Sequence, residues 1–424
     1  MTTSILSKEA KQKVKEYKSA DIVVGIPSYN NARTIAHVIR AVSAGLAKYF
    51  AQYRCVIVNS DGGSTDGTRD IVKDTVVEDF STILIEHPRY PVSKIVTPHH
   101  GMPGKGNAFR TIFEIAYRLE AKACAVVDSD LRSISPEWME GLLEPVMIHG
   151  FDFVAPLYQR HKYDGTITNS LVYPLIRALY GKRIRQPIGG EFGISKSLVS
   201  HFFKDKEIYA TDAARFGIDI WMTITAVANG FKVCQSFLGA KIHNQKDPGA
   251  DLSSMMVQVV GTVFNLIERY YAIWSGVTHS DAVPEFGFKF EVITDPVKVN
   301  LERMVESFNQ GVSDLSTIWE KFLSPDVLTQ LGKLSKSNIL EFTFPKELWV
   351  RILYEFALAY HRSVISRHHI LSSLTPLYLG RTAAFVNENL ESSSVEVENE
   401  IEKLCLEFEK QKPYFLSRFA KEGL

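Results

Sequence analysis

Through the first half of the chain, short apolar runs alternate with amphipathic stretches. Residues 21–26 (DIVVGI) are apolar over a strand length, and residues 55–58, 124–127 (CAVV), 151–156 and 233–237 repeat the signal, with a weaker version at 82–86 (TILIE). Between these runs the spacing changes to that of helices. Ile35, Val38, Ile39, Val42 and Leu46 share one stripe, which Asn30 or Asn31 is placed to cap, and Ser64 or Thr65 offers a cap for a helix reaching Val77. Ala108, Ile112, Ile115 and Leu119 line another face, Ser135, Pro136 and Glu137 start a further helix, and one more is expected over 171–180. Strands alternating with helices predict an α/β fold, a mostly parallel sheet with helices on both faces.

From residue 251 onward the strand signal nearly vanishes. Long helical periodicities cover 251–274, 301–308, 346–362 and 395–409. The expected division is therefore 1–249, an α/β domain, and 250–424, a C-terminal α-helical domain, with the boundary near Gly249. A length of 424 residues exceeds what one hydrophobic core usually supports, which agrees with two domains.

Composition narrows the function classes. Lys plus Arg equals Asp plus Glu at 48 each, and no dense basic run or zinc-finger spacing occurs, so no nucleic-acid partner is expected. Cys55, Cys124, Cys234 and Cys405 lie far apart in largely apolar surroundings and read as buried free thiols. The first 21 residues carry charges throughout and lack a signal-like apolar core, and no stretch is long and apolar enough to span a bilayer. A cytoplasmic protein is the expectation.

The sharpest candidate chemistry is Asp128-Ser129-Asp130 after the fourth apolar run. Two carboxylates two residues apart at the end of a strand suit Mg²⁺ or Mn²⁺ bridging to a diphosphate, although strand-end aspartates also serve as turn formers. Gly101-Met-Pro-Gly-Lys-Gly106 resembles a phosphate cradle with Lys105 at a helix start; a plain surface loop fits it equally well. Asp61-Gly-Gly-Ser-Thr-Asp66 reads as a ribose or base contact or as a tight turn. In Gln186-Pro-Ile-Gly-Gly-Glu191 the glycine pair admits a close ligand or simply punctuates a loop. Asp219 opens an apolar helix, where an acid also favours the helix dipole, and His243, alone in its segment, is by itself more often structural than a ligand.

In order, PSYNNARTI, DGGSTD, GKG, DSD, QPIGGE, FGID and a later histidine resemble the retaining GT-A glycosyltransferases that include mannosylglycerate synthase and glucosyl-3-phosphoglycerate synthase. The resemblance implies a GT-A, Rossmann-like nucleotide-diphospho-sugar transferase fold and transfer of a hexose from a GDP- or UDP-sugar to a small hydroxy acid. It implies Asp130, His243 and Asp128 around the metal, and Asp219, Asp128 and Lys105 as the catalytic set. Pro27, Tyr29, Asn31, Asp61, Gly62, Lys105, Asp128, Ser129 and Gly190 would surround the donor, and Arg160, Gly165, Thr166, Thr168 and Lys246 the acceptor. Thr166 stands where the phosphoglycerate enzymes place an arginine, so an unphosphorylated acid such as glycerate is expected. Lys246 stands where mannosylglycerate synthase has a tyrosine. A homodimer stays open, as do an inverting transferase with a larger acceptor, a sugar-nucleotide pyrophosphorylase and a non-catalytic binding protein.

Overall fold

The computed structural model describes residues 4–75, 93–98, 104–242, 253–289, 297 and 299–420. The chain forms two compact units that interleave in sequence. The first comprises Met1–Gln159, Ile184–Asn244 and Val283–Thr294, the second Arg160–Arg183, Gln245–Ala282 and Asp295–Leu424. The single cut expected near Gly249 is thereby corrected: Arg160–Arg183 belongs with the C-terminal helices. Gly249 itself lies outside the described residues.

The elements run α1 (Lys8–Tyr17), β1 (Ile22–Ser28), α2 (Ile35–Tyr49), β2 (Cys55–Asp61), α3 (Thr68–Asp74), β3 (Ser93–Pro98), α4 (Lys105–Arg118), β4 (Ala123–Val126), α5 (Glu137–Met147) and β5 (Phe153–Gln159). In the second unit α6 (Tyr173–Tyr180) and β6 (Lys182–Arg183) follow. The first unit resumes with β7 (Phe192–Ser195), α7 (Lys196–Lys204), α8 (Ile218–Ala228) and β8 (Val233–Ala240). Then come α9 (Ser253–Arg269), α10 (Tyr271–Trp274), β9 (Asp281–Ala282), β10 (Glu285–Phe286), α11 (Leu301–Trp319), α12 (Pro325–Leu334), α13 (Lys346–Arg362), α14 (Arg367–Ser373), α15 (Thr375–Glu388) and α16 (Ser394–Phe419).

In the first unit the strands pair in the order β10-β8-β5-β7-β4-β1-β2-β3. All neighbours are parallel except β7, which runs antiparallel to both β4 and β5. The α/β expectation holds. Every residue of β1, β2 and β4 is buried, as parallel strands covered on both faces require. Ile22, Val24, Ile26, Ile57 and Ala125 pack with Val38, Val42, Leu46 and Leu142 in the main core. All four cysteines are buried and unpaired by disulfides. The strand expected at 82–86 lies outside the described residues. The caps also differ from expectation: Thr34 precedes α2 without a side-chain bond to the first turn, and the Asp66 carboxylate receives the Thr68 N–H at 3.0 Å ahead of α3. Among the described residues no helix is long and apolar enough to cross a membrane.

Among its described residues the second unit is helical apart from the β6–β9 pair. The α6 helix is entered through a wider π turn, Thr168–Val172, and every one of its residues is buried. Arg177, fully buried, pairs with Glu402 and Glu409 of α16 at 2.5 and 2.9 Å. Tyr354 stacks on Phe415 at 4.7 Å, and the Trp349 indole donates to the Ser170 carbonyl at 2.6 Å.

Lys412 donates to the carbonyls of Ala178, Leu179 and Val277 at 2.9, 3.4 and 2.6 Å. Burial pushes its ammonium down to about 8, against the opposing pull of Glu409. An unfolded lysine titrates near about 10.4. Between those values the unfolded chain holds more protons, so the stability tied to Lys412 is present above the unfolded pKa and is lost as pH falls through the folded one. Melting temperatures of wild type and Lys412→Met should diverge in favour of wild type as pH rises through this window. A gap that stays constant would contradict the assignment.

Candidate active site

Strand order places the crevice. β1 has β2 on one side and β4 on the other, so the connections leaving the carboxyl ends of β1 and β4 part in opposite directions and open a cleft between them. The loops after β1, β2 and β4 are bound to one another around that cleft. The Thr34 hydroxyl donates to the Ser129 carbonyl at 2.7 Å, and the Ser129 hydroxyl to Asn31 Oδ1 at 2.8 Å. The Gly62 N–H donates to the Ser28 carbonyl at 2.7 Å, and the Asn30 N–H to the Ser64 hydroxyl at 2.8 Å.

At the end of β4 a line of alternating charges fills the floor. Asp128 Oδ1 meets Lys105 Nζ at 2.7 Å, and Asp128 Oδ2 meets Lys241 Nζ at 3.1 Å. Lys105, at the first position of α4, also meets Asp219 Oδ2 at 3.0 Å. Lys241 reaches Glu191 at 3.0 Å and the Gly189 carbonyl at 2.7 Å, and the Tyr158 hydroxyl donates to Glu191. Burial opposes charge on Lys105 and Asp128 alike, but their mutual attraction wins, holding the ammonium well above and the carboxyl well below their usual ranges. Burial raises the Asp219 carboxyl, with Lys105 pulling the other way, and pushes Glu191 up to about 7 against the pull of Lys241.

Two carboxylates have oxygens that stand apart from this network. Asp219 is 7 % exposed, and its Oδ1 is buried without a hydrogen-bond partner. Asp130 is half-buried and has no hydrogen-bond or ion-pair partner among the described residues. The expected metal set thus divides. Asp130 is open, whereas both oxygens of Asp128 are taken by lysines. Among the described residues no three His, Cys, Asp or Glu side chains gather as a metal cluster. His243 and Lys246 lie outside the described residues. The chain leading to His243 is fixed, however: the Ile242 N–H donates to the Ser133 hydroxyl at 2.9 Å and its carbonyl accepts from Arg132 N–H at 2.9 Å, just past the acid turn.

The glycines earn their places differently from expectation. A Cβ on Gly104 would lie 2.5 Å from the Ala214 carbonyl and one on Gly106 would lie 2.1 Å from that of Ala213, so they bring α4 against the 213–215 turn. Close packing thus accounts for Gly104 and Gly106; Gly101, Met102 and Pro103 lie outside the described residues. Gly190 has φ +95°, and a Cβ there would stand 2.2 Å from Asp128 Oδ2 and 2.9 Å from Lys241 Nζ. Gly190→Ala combines backbone strain of about 1–3 kcal/mol with a displaced Asp128. We expect a lower melting temperature together with at least a tenfold loss of donor affinity, measured by calorimetry; unchanged affinity would separate Gly190 from the site.

Other expected donor contacts are placed as follows. Pro27 and Ser28 are buried in β1, and Tyr29 is 61 % exposed, its ring beside Gly62. Asp61 is fully buried. Its Oδ1 accepts from Gly63 and Ser64 N–H at 3.0 and 2.9 Å, and its Oδ2 from the Ser28 and Ser64 hydroxyls at 2.9 and 2.6 Å. All four acceptor positions are used within the loop, so Asp61 holds the turn in shape. Lys241, Glu191 and Tyr158 were not among the expected site residues. The signal was a lone lysine closing the apolar run of β8.

The expected acceptor residues belong to the second unit. Gly165 has φ +69°, and a Cβ there would lie 3.7 Å from Arg160 Nη1 and 3.9 Å from Thr168 Oγ1, so these three residues share one turn. Arg160 also contacts Asp164 at 3.4 Å. Thr166 is buried, with its hydroxyl 2.6 Å from the buried Tyr378 hydroxyl.

Comparison with known proteins gives matches of two kinds. No curated protein matches the chain. Among solved structures, glucosyl-3-phosphoglycerate synthase from Mycobacterium tuberculosis is similar in its complex with phosphoglyceric acid, at 20 % identity and TM-score 0.43, over 61 % of this chain and 84 % of that one. Its complex with Mg²⁺ and uridine diphosphate gives 21 % identity and TM-score 0.43, over 64 % and 85 %. Its complex with Mn²⁺, UDP-glucose and phosphoglyceric acid gives 22 % and 0.43, over 61 % and 83 %. Residues 82–265, the stretch that carries Lys105, Asp128, Asp130, Asp219 and Lys241, match the family model described as mannosylglycerate synthase, GT domain, and in that stretch the chain resembles these GT-A glycosyltransferases.

Proposed function

We propose that this chain is a retaining hexosyltransferase that moves glucose or mannose from a GDP- or UDP-sugar to a small hydroxy acid such as D-glycerate. The observation that carries this reading is Lys105, shared between Asp128 and Asp219 on the floor of the β1/β4 cleft, within the stretch matched by the glycosyltransferase model. A lysine held between two acids is ready to exchange one of them for a phosphate oxygen. Charge building on the leaving diphosphate is then met by an ammonium already held in position by the remaining acid. The exposed Tyr29 ring offers a face for the base. The unpartnered Asp219 oxygen is placed to accept a hydrogen bond from a hydroxyl of the sugar or the acceptor.

Mg²⁺ or Mn²⁺ fits the open carboxylate of Asp130, with His243 and then Asp128 as further ligands, and would supply charge neutralisation to the diphosphate. In the transfer itself the bond between the anomeric carbon and the diphosphate oxygen breaks, and the acceptor oxygen bonds to the same face. The acceptor proton passes to the released diphosphate. Arg160 and Thr168, grouped around Gly165, supply a guanidinium and a hydroxyl suited to a carboxylate. Thr166 brings no cation and favours glycerate over its phosphate ester.

Thermal shift with GDP- and UDP-hexoses plus Mn²⁺ or Mg²⁺ tests the donor, because a ligand that binds only the folded chain raises its melting temperature. Product NMR then tests the chemistry. An inverted anomer would point to Asp219 as a general base and to the alternative mechanism, and preference for 3-phosphoglycerate would overturn the acceptor. Failure to bind or turn over any sugar nucleotide would refute the reading as a whole.

A further inference from the structure

We infer that Lys241 is a positioning residue which, braced by Glu191 and Tyr158, fixes Asp128 and thereby keeps Lys105 available to the donor diphosphate. This rests on the transferase reading above. An ammonium has three N–H groups. Those of Lys241 are spent on Asp128 Oδ2 at 3.1 Å, the Gly189 carbonyl at 2.7 Å and the Glu191 carboxylate at 3.0 Å. The lysine is 9 % exposed, and Glu191, which also receives the Tyr158 hydroxyl, is fully buried. Neither charge serves solubility.

A structural ion pair would be complete with Lys241 and Glu191 alone. The third bond, to Asp128, gives each oxygen of that carboxylate its own lysine: Oδ1 to Lys105 at 2.7 Å and Oδ2 to Lys241. This bracket fixes the plane of the carboxylate and divides its charge between two cations. Gly190, whose missing Cβ leaves room for both Asp128 and Lys241, shows the backbone shaped around the same bond. Without Lys241, both Asp128 oxygens turn to Lys105, which then gives up its carboxylate less readily when a diphosphate arrives. Partners that orient residues of this kind typically contribute about 10–100-fold to affinity or activity.

The test uses the full chain as wild type, Lys241→Met, Glu191→Gln and the double variant Lys241→Met/Glu191→Gln. Melting temperature, calorimetric binding of UDP and of GDP with Mn²⁺, and initial rates on the preferred sugar nucleotide are measured for each. Lys241→Met strands a buried carboxylate and should melt early, and the double variant, which removes both charges, should recover much of that loss. Nucleotide binding and kcat/KM should nonetheless stay about 10–100-fold below wild type in the double variant. Recovery of binding and rate together with stability would show that Lys241 only holds the fold, and would overturn the inference while leaving the transferase reading intact. A wild type that binds neither nucleotide would overturn the reading itself, and the inference with it.

Discussion

Asp130→Ala is expected to lower turnover by about a thousandfold or more, the equivalent of about 4 kcal/mol of transition-state stabilisation, and to abolish the dependence of nucleotide binding on Mn²⁺. The size follows from what the residue lacks. Every other acid of the cleft floor is tied to a lysine, whereas Asp130 has no partner among the described residues. Its removal should therefore cost little stability while deleting an open hard-oxygen ligand. Calorimetry with UDP or GDP, with and without Mn²⁺, and steady-state rates check both halves. Wild-type rates in this variant would end the metal role.

Asp219→Asn should reduce kcat by about 10²–10³-fold, the scale of one well-placed group acting on the transition state, while the donor KM changes by less than about tenfold. Asparagine keeps the volume and the first turn of α8 but removes a charge from Lys105 and replaces the orphaned oxygen. A group that matters in the transition state more than in the bound ground state lowers kcat and leaves KM, whereas one that only binds the donor does the reverse. A variant with intact kcat and a raised KM would move Asp219 from chemistry to donor binding.

Much of this site was legible in the chain because its parts are local. The DSD turn follows an apolar run ended by its first aspartate, and Lys105 opens a helix whose apolar stripe is plain, so both could be placed by period and register. The bonding of Asp61 could not be read in advance because it is a loop property: the N–H groups of Gly63 and Ser64 fold back on it, and sequence shows only an acid among glycines. Strand β7 was missed because four residues including a glycine carry too short a pattern to register. Lys241 was missed for a deeper reason. Its partners lie 50 and 113 positions away, and burial of a lysine is decided by tertiary charge pairing that no local window contains. The same limit hid the membership of Arg160–Arg183 in the second unit, since an apolar helix suits either core.

That interleaving governs how the protein is made. Arg177 and the carbonyls that close α6 are satisfied by Glu402, Glu409 and Lys412, and the Lys412 bond to Ala178 spans 234 positions. At about 5–20 residues per second, a ribosome needs roughly 10–50 s to deliver those partners. For that interval an apolar helix waits unpaired between two strands of a sheet already able to form. Chaperone dependence of the nascent chain should therefore be concentrated between synthesis of α6 and synthesis of α16, and shortening the chain near residue 249 should yield an insoluble product instead of a smaller working enzyme.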